Sequence, residues 1–545
     1  TAVLVERIIH KIIDNEAPVN IDELLIVTFT NAAAAEMRHR IGTALEAEME
    51  KDPSSNHLRR QLTLLNKAPI STLHSFCLEV IRKYYYLIDI DPAFRIADEG
   101  ELTLLREEVL DDFMEEEYGK EGNEEFYRLV DTFSSDRSDE ELQRMIHTLY
   151  DFAQSHPYPD EWLNQLSKLY EVKEGAETID SLPFIEILKF YIGLQLESAE
   201  AMLTECLDMV QMPGGPAPRE EMFIIERQMI HRLREALPSW QNLYEEMQTV
   251  DFKTLKSYKG EEYDEELKEQ SKHLRTEAKK IVEKLKEEYF SHQPESYVSN
   301  MKEMKEVIAA LARLIQRFTN KFHEVKREKG IVDFSDLEHF TLAILTGEDG
   351  QPSEAAYAYQ QQFQEIFLDE YQDFNIVQES IIQLLKKGGE ESGNVFMVGD
   401  VKQSIYRFRQ AEPNLFLSKY RRFSTNGDNS GLRIDLAQNF RSRAEVLAGT
   451  NFLFKQIMDV KIGEIEYDRQ AELVKGAAYP EERPFPIEVA LIEQETKGQS
   501  EDPDMKDVAQ SELEARWMAE KIRELIESRH PVYDPKTESE RPIEY

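Results

Sequence analysis

The chain carries two short, wholly apolar runs, 366–368 (Ile-Phe-Leu), which stops at Asp369-Glu370, and 395–398 (Val-Phe-Met-Val), which stops at Gly399-Asp400. Runs of this kind, apolar throughout rather than alternating, predict strands buried on both faces of a parallel sheet. In open α/β sheets the carboxyl ends of such strands are where ligands bind. A third run, 24–27 (Leu-Leu-Ile-Val), closes on Thr28-Phe29-Thr30-Asn31 and predicts a strand, a tight turn and a helix over 32–46 capped by Thr30 or Asn31. Residues 1–13 place Val3, Leu4, Ile8, Ile9 and Ile12 at helical spacing, and 69–72 leads into a helix ending near Tyr86. Towards the end, 434–436 and 484–492 predict strands. Helices are predicted over 411–423, up to about Phe454, and over 510–528, the last with Trp517 on its apolar face.

Between about 95 and 325 the pattern changes to helix. Apolar residues recur three and four apart over 101–117, 182–209, 221–237 and 301–326, and Pro213-Gly214-Gly215-Pro216 separates two of these segments. Residues 253–288 are highly charged with sparse apolar positions, which predicts a solvated helical arm. The α/β pattern resumes at 330–337 (GIVDFSDL). The expected fold class is therefore α/β, a parallel sheet interrupted by a large all-helical insertion. The polar stretch 426–431 marks a domain boundary.

Composition changes this picture in three places. The formal net charge is −41, and about half of the acidic excess falls in 91–330. That argues against a broadly basic nucleic-acid face but leaves room for a locally basic path. The two cysteines, Cys77 and Cys206, cannot make a disulfide framework, which fits a reducing cytosol. No apolar run reaches membrane-spanning length, so no membrane partner is expected.

The candidate chemistry sits at the strand ends. Asp369 is placed to hold Mg²⁺, and Glu370 to polarise an attacking water in nucleotide hydrolysis. Gln403, after the Gly399-Asp400 turn, is placed to sense a terminal phosphate. Tyr406 and Phe408 offer flat faces among Arg407 and Arg409, as base stacking requires. The Thr/Asn turn is a natural anion site, and an ordinary helix cap is the simpler reading of it. His74 is either a satisfied core histidine or a phosphate contact. Taken singly, Asp-Glu is a strand end and the aromatics are core; their order and spacing point to a phosphate sensor joined to a stacking platform.

TFTNAAAAEMRHRI, STLHSFCLEVIRKY, DEYQD, VGDVKQSIYRFR and NFRSR, in that order, resemble superfamily 1A DNA helicases of the UvrD/RecB type. The TFTNAAAAEM and GIVDFSDL wording and the helical insert are most similar to the AddA family of bacterial AddAB helicase–nucleases. The resemblance implies a first RecA-like motor domain from 1–92 and 329–428, a helical insertion over 93–328, and the start of a second RecA-like domain over 429–545. It implies ATP and Mg²⁺ as cofactors, with Asp369 and Thr1 at the metal, Glu370 activating water and Gln403 at the γ-phosphate. Arg409 belongs to the same coupling network, Phe440 would stack on adenine, and Arg441 would reach the γ-phosphate from the second domain. Thr28, Phe29, Thr30, Asn31, His74, Tyr406 and Phe408 would line the single-stranded DNA path. The implied setting is the bacterial cytoplasm at the nucleoid. There the motor would act on single- and double-stranded DNA with an AddB-like second subunit, in recombinational repair of double-strand breaks. Nuclease activity comes from the resemblance alone.

Some of the pattern departs. The family's Gly-rich phosphate loop ending in Lys-Thr is missing, and Thr1 stands like its final Thr. The chain therefore reads as a piece of something longer, and alone would bind ATP poorly. Phe374 stands where the family more often has Thr, a change expected to be tolerated. Two rival readings are a non-catalytic scaffold retaining the motor fold and an acidic helical interaction protein with no nucleotide site. The scaffold predicts eroded catalytic residues, whereas Asp369, Glu370, Gln403 and Arg441 are all present. The acidic helical block is expected to dock a second protein of the complex and to form part of a duplex entry path.

Overall fold

The computed structural model describes residues 2–14, 16–135, 137–172, 178–255, 258, 263–388, 393–427, 431–480, 485–492, 510–534 and 537–545. Leu24–Thr28 (β1) is buried along its whole length, and alternate side chains pack into two different cores. Leu24 and Ile26 meet Leu4, Ile8, Ile12, Met37 and Ile41 on one face. Leu25 and Val27 meet Phe76, Val80, Leu337 and Ile381 on the other. A strand covered by helices on both faces has no polar side to show, hence the unbroken apolar run.

β1 pairs in parallel with Ile70–Thr72 (β2). Arg95–Ile96 (β3) pairs in parallel with Ile331–Val332 (β4) in a separate ladder. Glu365–Leu368 (β5) lies beside β1 in the register Leu24↔Glu365 to Val27↔Leu368, and Val395–Met397 (β6) lies beside β5. The sheet order is β2-β1-β5-β6, all parallel, so the carboxyl ends of β1, β5 and β6 share one edge of the fold.

The helical insertion leaves through β3 and returns through β4. Among the described residues it has two cores of its own. One surrounds the long helix Pro294–Glu328, where Leu311, Leu314, Ile315 and Phe318 meet Leu110, Phe113, Phe126 and Ile146. The other joins Ile185–Val210, Glu220–Ala236, Trp240–Thr249 and Glu265–Tyr289. The expected solvated arm over 253–288 is corrected here. Helix Glu265–Tyr289 buries Ser271, Arg275, Ala278, Val282 and Leu285, spaced four, three, four, three. That narrow seam needs few apolar residues, which is why the segment reads as polar. Arg275 enters the core by pairing with buried Glu226.

The chain divides into two compact units, Thr1–Arg422 and Phe423–Tyr545, just ahead of the polar stretch where the boundary was expected. In the second unit Gln438–Asn439 (β7) pairs in parallel with Val474–Lys475 (β8), and Pro531–Asp534 (β9) pairs antiparallel with Ser539–Pro542 (β10). The expected strand at 434–436 does not form, and Ile434 and Leu436 are exposed. Nor does one form over 485–492, where Val489 and Leu491 are exposed (Pro484 lies outside the described residues). Among the described residues neither segment is paired with a strand, and alternation without a partner ladder does not make a strand. Helix Gln510–Glu527 forms as expected, with Trp517, Met518 and Ile522 exposed. No described helix is long and apolar enough to cross a membrane.

Candidate functional site

The end of β5 sets the geometry. The Asp369 backbone N–H donates to the Val27 carbonyl at 3.0 Å, so the ladder to β1 continues through the first acidic residue. The Asp369 side chain is buried, and burial, then the neighbouring Glu370 charge, push its carboxyl above the ordinary carboxylate value. Glu370 takes a left-handed conformation (φ 54°, ψ 44°), rare for a residue with a β-carbon. Such conformations persist where the surrounding structure holds them, and they cluster at functional sites. The turn aims Glu370 into solvent beside the buried Asp369.

Gln372 is the link that the sequence did not announce. Fully buried, it donates from Nε2 to Glu370 Oε2 at 2.9 Å and to Asp373 Oδ2 at 3.1 Å. Its Oε1 accepts from the Asp400 N–H at 2.9 Å. Asp400 in turn accepts from Gln403 Nε2 at 3.0 Å and pairs with Lys402 at 2.8 Å. A hydrogen-bonded path therefore runs from Glu370 through Gln372 and Asp400 to Gln403. Gly399 makes room for it, because a β-carbon there would stand 2.6 Å from Gln372 Oε1. The Asp373 carboxyl is pushed up to about 6, by burial first and then by the Glu370 charge. Behind the turn, the Tyr371 hydroxyl donates to Glu379 at 2.8 Å, and Lys419 bonds to both. Phe374 is buried with its ring 5.3 Å from Tyr371, so the aromatic fills core.

A second surface adjoins the first. The Phe29 and Tyr406 rings lie 4.7 Å apart and Tyr406 and Phe408 5.9 Å apart, with the Arg409 guanidinium within 6 Å of the last two. Phe408 is 73% exposed. Thr30 caps helix Asn31–Lys51, accepting from the Ala33 N–H at 3.0 Å, and Asn31 begins that helix exposed. Thr28 is buried below, its hydroxyl donating to the Thr30 carbonyl at 3.1 Å, so it supports the turn rather than facing solvent. His74 sits at the head of helix Leu73–Tyr84, bonded to Glu338 at 2.9 Å, with its ring 4.9 Å from the exposed Phe334. Phe334 and Glu338 went unnoticed in the sequence, where GIVDFSDL marked only the return of the α/β pattern.

In the second unit the Asn439 Oδ1 accepts from the Arg441 and Ser442 N–H groups, both at 2.9 Å, turning the chain after β7. Arg441 is exposed, and the exposed Phe440 ring lies over Gly476. Asp369, Glu370, Gln403, Arg409, Tyr406, Phe408, Phe29, Thr30, Asn31 and His74 all belong to the first unit, whereas Phe440 and Arg441 belong to the second. Thr1 lies outside the described residues.

Residues 1–212 and 217–424 match the family described as the UvrD/REP helicase N-terminal domain, so the chain belongs to the UvrD/REP helicases. Among curated proteins it is 53% identical over 549 residues to the A subunit of the ATP-dependent helicase/nuclease of Bacillus licheniformis. It is 51% identical over 550 residues to the proteins of the same name from Bacillus cytotoxicus and Bacillus cereus. Each match covers 100% of this chain and 44% of the relative, so the chain spans less than half the length of these relatives.

Proposed function

We propose that this chain is the nucleotide- and DNA-handling part of an ATP-driven DNA helicase, in a helicase–nuclease that processes double-strand breaks with an AddB-like partner. The observation that carries the reading is the hydrogen-bonded path from Glu370 through Gln372 and Asp400 to Gln403, which runs within three residues into the Tyr406–Phe408 platform. Catalytic groups and a stacking surface on one short connection are what a motor needs to tie phosphate chemistry to movement on a strand.

The residues present fit Mg²⁺-ATP. Burial holds the Asp369 and Asp373 carboxyls above their ordinary values. Among the described residues no group of three or more Asp, Glu, His or Cys is arranged to hold a metal ion, so the ion would rest on Asp369 and on the phosphates of the nucleotide itself. Asp369 would hold the ion, whose charge would offset that of the phosphates. Glu370 orients and deprotonates the attacking water, and Gln372 keeps its carboxylate aimed. Gln403 contacts the terminal phosphate, and the loss of that contact on hydrolysis is passed to Tyr406 and Phe408. Within the second unit, Arg441 and Phe440 are the residues this reading assigns to charge stabilisation and to adenine stacking. Bases stack on Phe29, Tyr406, Phe408, Phe334 and His74, an arrangement indifferent to sequence.

The test is the DNA-stimulated ATPase of the complete natural polypeptide containing these residues, wild type against Glu370→Gln. A positioned general base is worth about 10²–10⁴-fold, so a loss of that size with nucleotide binding retained is expected. Wild-type turnover in the variant, or none in either protein, would leave the scaffold reading in its place.

A further inference from the structure

Glu338 lies on helix Phe334–Leu345, one turn after the exposed Phe334, so the two side chains share a helix face. Its carboxylate is buried and receives donors from two other elements: His74 Nε2 at 2.9 Å, Gln378 Nε2 at 2.7 Å and Asn375 Nδ2 at 3.1 Å. Asn375 caps helix Ile376–Leu385, which starts just past the end of DEYQD. Burial alone would raise the Glu338 carboxyl, yet bonding to His74, and then to Gln378 and Asn375, holds it below its ordinary value. His74 is thus gripped between a ring and a carboxylate carried on the same helix.

The connection reaches further. Phe374, between the acidic turn and Asn375, accepts at its carbonyl from the Glu412 N–H at 2.9 Å, on the chain that leaves the Tyr406–Arg409 segment. A buried carboxylate that loses a donor bears a large desolvation penalty. His74 therefore cannot shift without either breaking its bond or drawing Glu338, and with it the cap at Asn375, along.

We propose that Glu338 is a positioning residue that locks His74, in the nucleic-acid path, to the helix leaving the DEYQD turn. A strand seated against His74 and Phe334 then bears on the acidic end of β5. This rests on the motor reading above and adds to it a second route between DNA and the acidic turn, separate from Gln403.

The experiment is a double-mutant cycle in the complete natural polypeptide together with its AddB-like partner: wild type, Glu338→Gln, His74→Ala and both together. The readout is the concentration of a single-stranded oligonucleotide that half-saturates ATPase stimulation. Glutamine keeps the shape but removes the charge and sets an amide donor among three donors. Glu338→Gln is expected to raise that concentration about tenfold, the worth of one hydrogen bond to a charged group. In the His74→Ala background the same change should add nothing. Additive effects, or an unchanged half-saturation in Glu338→Gln, overturn the proposal. If Glu338→Gln fails to fold, Glu338→Asp, which keeps the charge and shortens the reach, goes through the same cycle under the same criterion. Failure of the motor reading shows in the wild type alone, as no ATPase or as ATPase without any DNA response, and this proposal would fall with it.

Discussion

Inside the helical insertion, Arg275 meets Glu226 through Nε at 3.0 Å and through a second nitrogen at 2.5 Å, which also donates to the Lys253 carbonyl at 2.7 Å. At the end of β5, Asp369, Glu370 and Asp373 stand together, and among the described residues none of them has an ion pair. Both regions bury charge. In the insertion the charge is closed: every carboxylate oxygen of Glu226 has its donor, and the pair fixes how two helices meet. At the sheet edge the charge is open, carried on a backbone held in a rare conformation. Closed charge serves shape, and open charge is where the proposed Mg²⁺-nucleotide would bring the counter-charge.

The comparison can be broken in stages. The largest effect is the loss of turnover in Glu370→Gln, where removing open charge should leave the melting transition almost untouched. Next is Arg275→Ala, which strands Glu226 in the core. Breaking a buried pair from one side costs about 3–5 kcal/mol, so urea denaturation should show that loss while ATPase per folded molecule stays unchanged. Equal losses of stability from both substitutions would erase the distinction. Phe408→Ala is smaller: base stacking on one aromatic is worth about 1–3 kcal/mol. Fluorescence anisotropy on a labelled single strand should show that loss, with no change in melting because the ring is already exposed.

The smallest effect tests the intermediate case, Glu338, whose charge is closed but tied to the open surface through His74. Its folded carboxyl titrates below the ordinary 4.5. The stabilisation is therefore complete above that value and is lost as pH falls through the depressed one. Glu338→Gln should flatten the acid limb of the stability curve by an amount on the order of 1 kcal/mol, and an unaltered acid limb would place Glu338 outside the stabilising set.

How far these features were legible follows from how local their causes are. β1 and β5 were visible because burial on both faces leaves its mark on consecutive residues. The cap at Thr30 was visible because a capping side chain acts within three residues of itself. The seam of helix Glu265–Tyr289 was missed because Ser271 and Arg275 count as polar in any local window, and Arg275 is made buriable by Glu226, 49 residues away. Gln372 was missed for the same reason, since its partner Asp400 lies 28 residues on. Glu338 acquires its meaning only when Asn375 and Gln378 arrive beside it. In the second unit, 434–436 and 485–492 have the composition of strands, and pairing, which composition cannot supply, is what they lack.

The short parallel ladder of Arg95–Ile96 with Ile331–Val332 gives the molecule a doorway. Neighbouring strands stand about 4.8 Å apart, so everything between 97 and 330 hangs from two chain crossings side by side. The cost of closing a loop grows only with the logarithm of its length. The sheet is therefore nearly indifferent to how much protein is threaded through that gap. Loop closure thus loads the sheet little, and what seats the helical region on the motor fold is side-chain bonding beside the doorway, Lys326 to Asp336 at 2.7 Å and His339 to the Gln154 carbonyl at 2.9 Å.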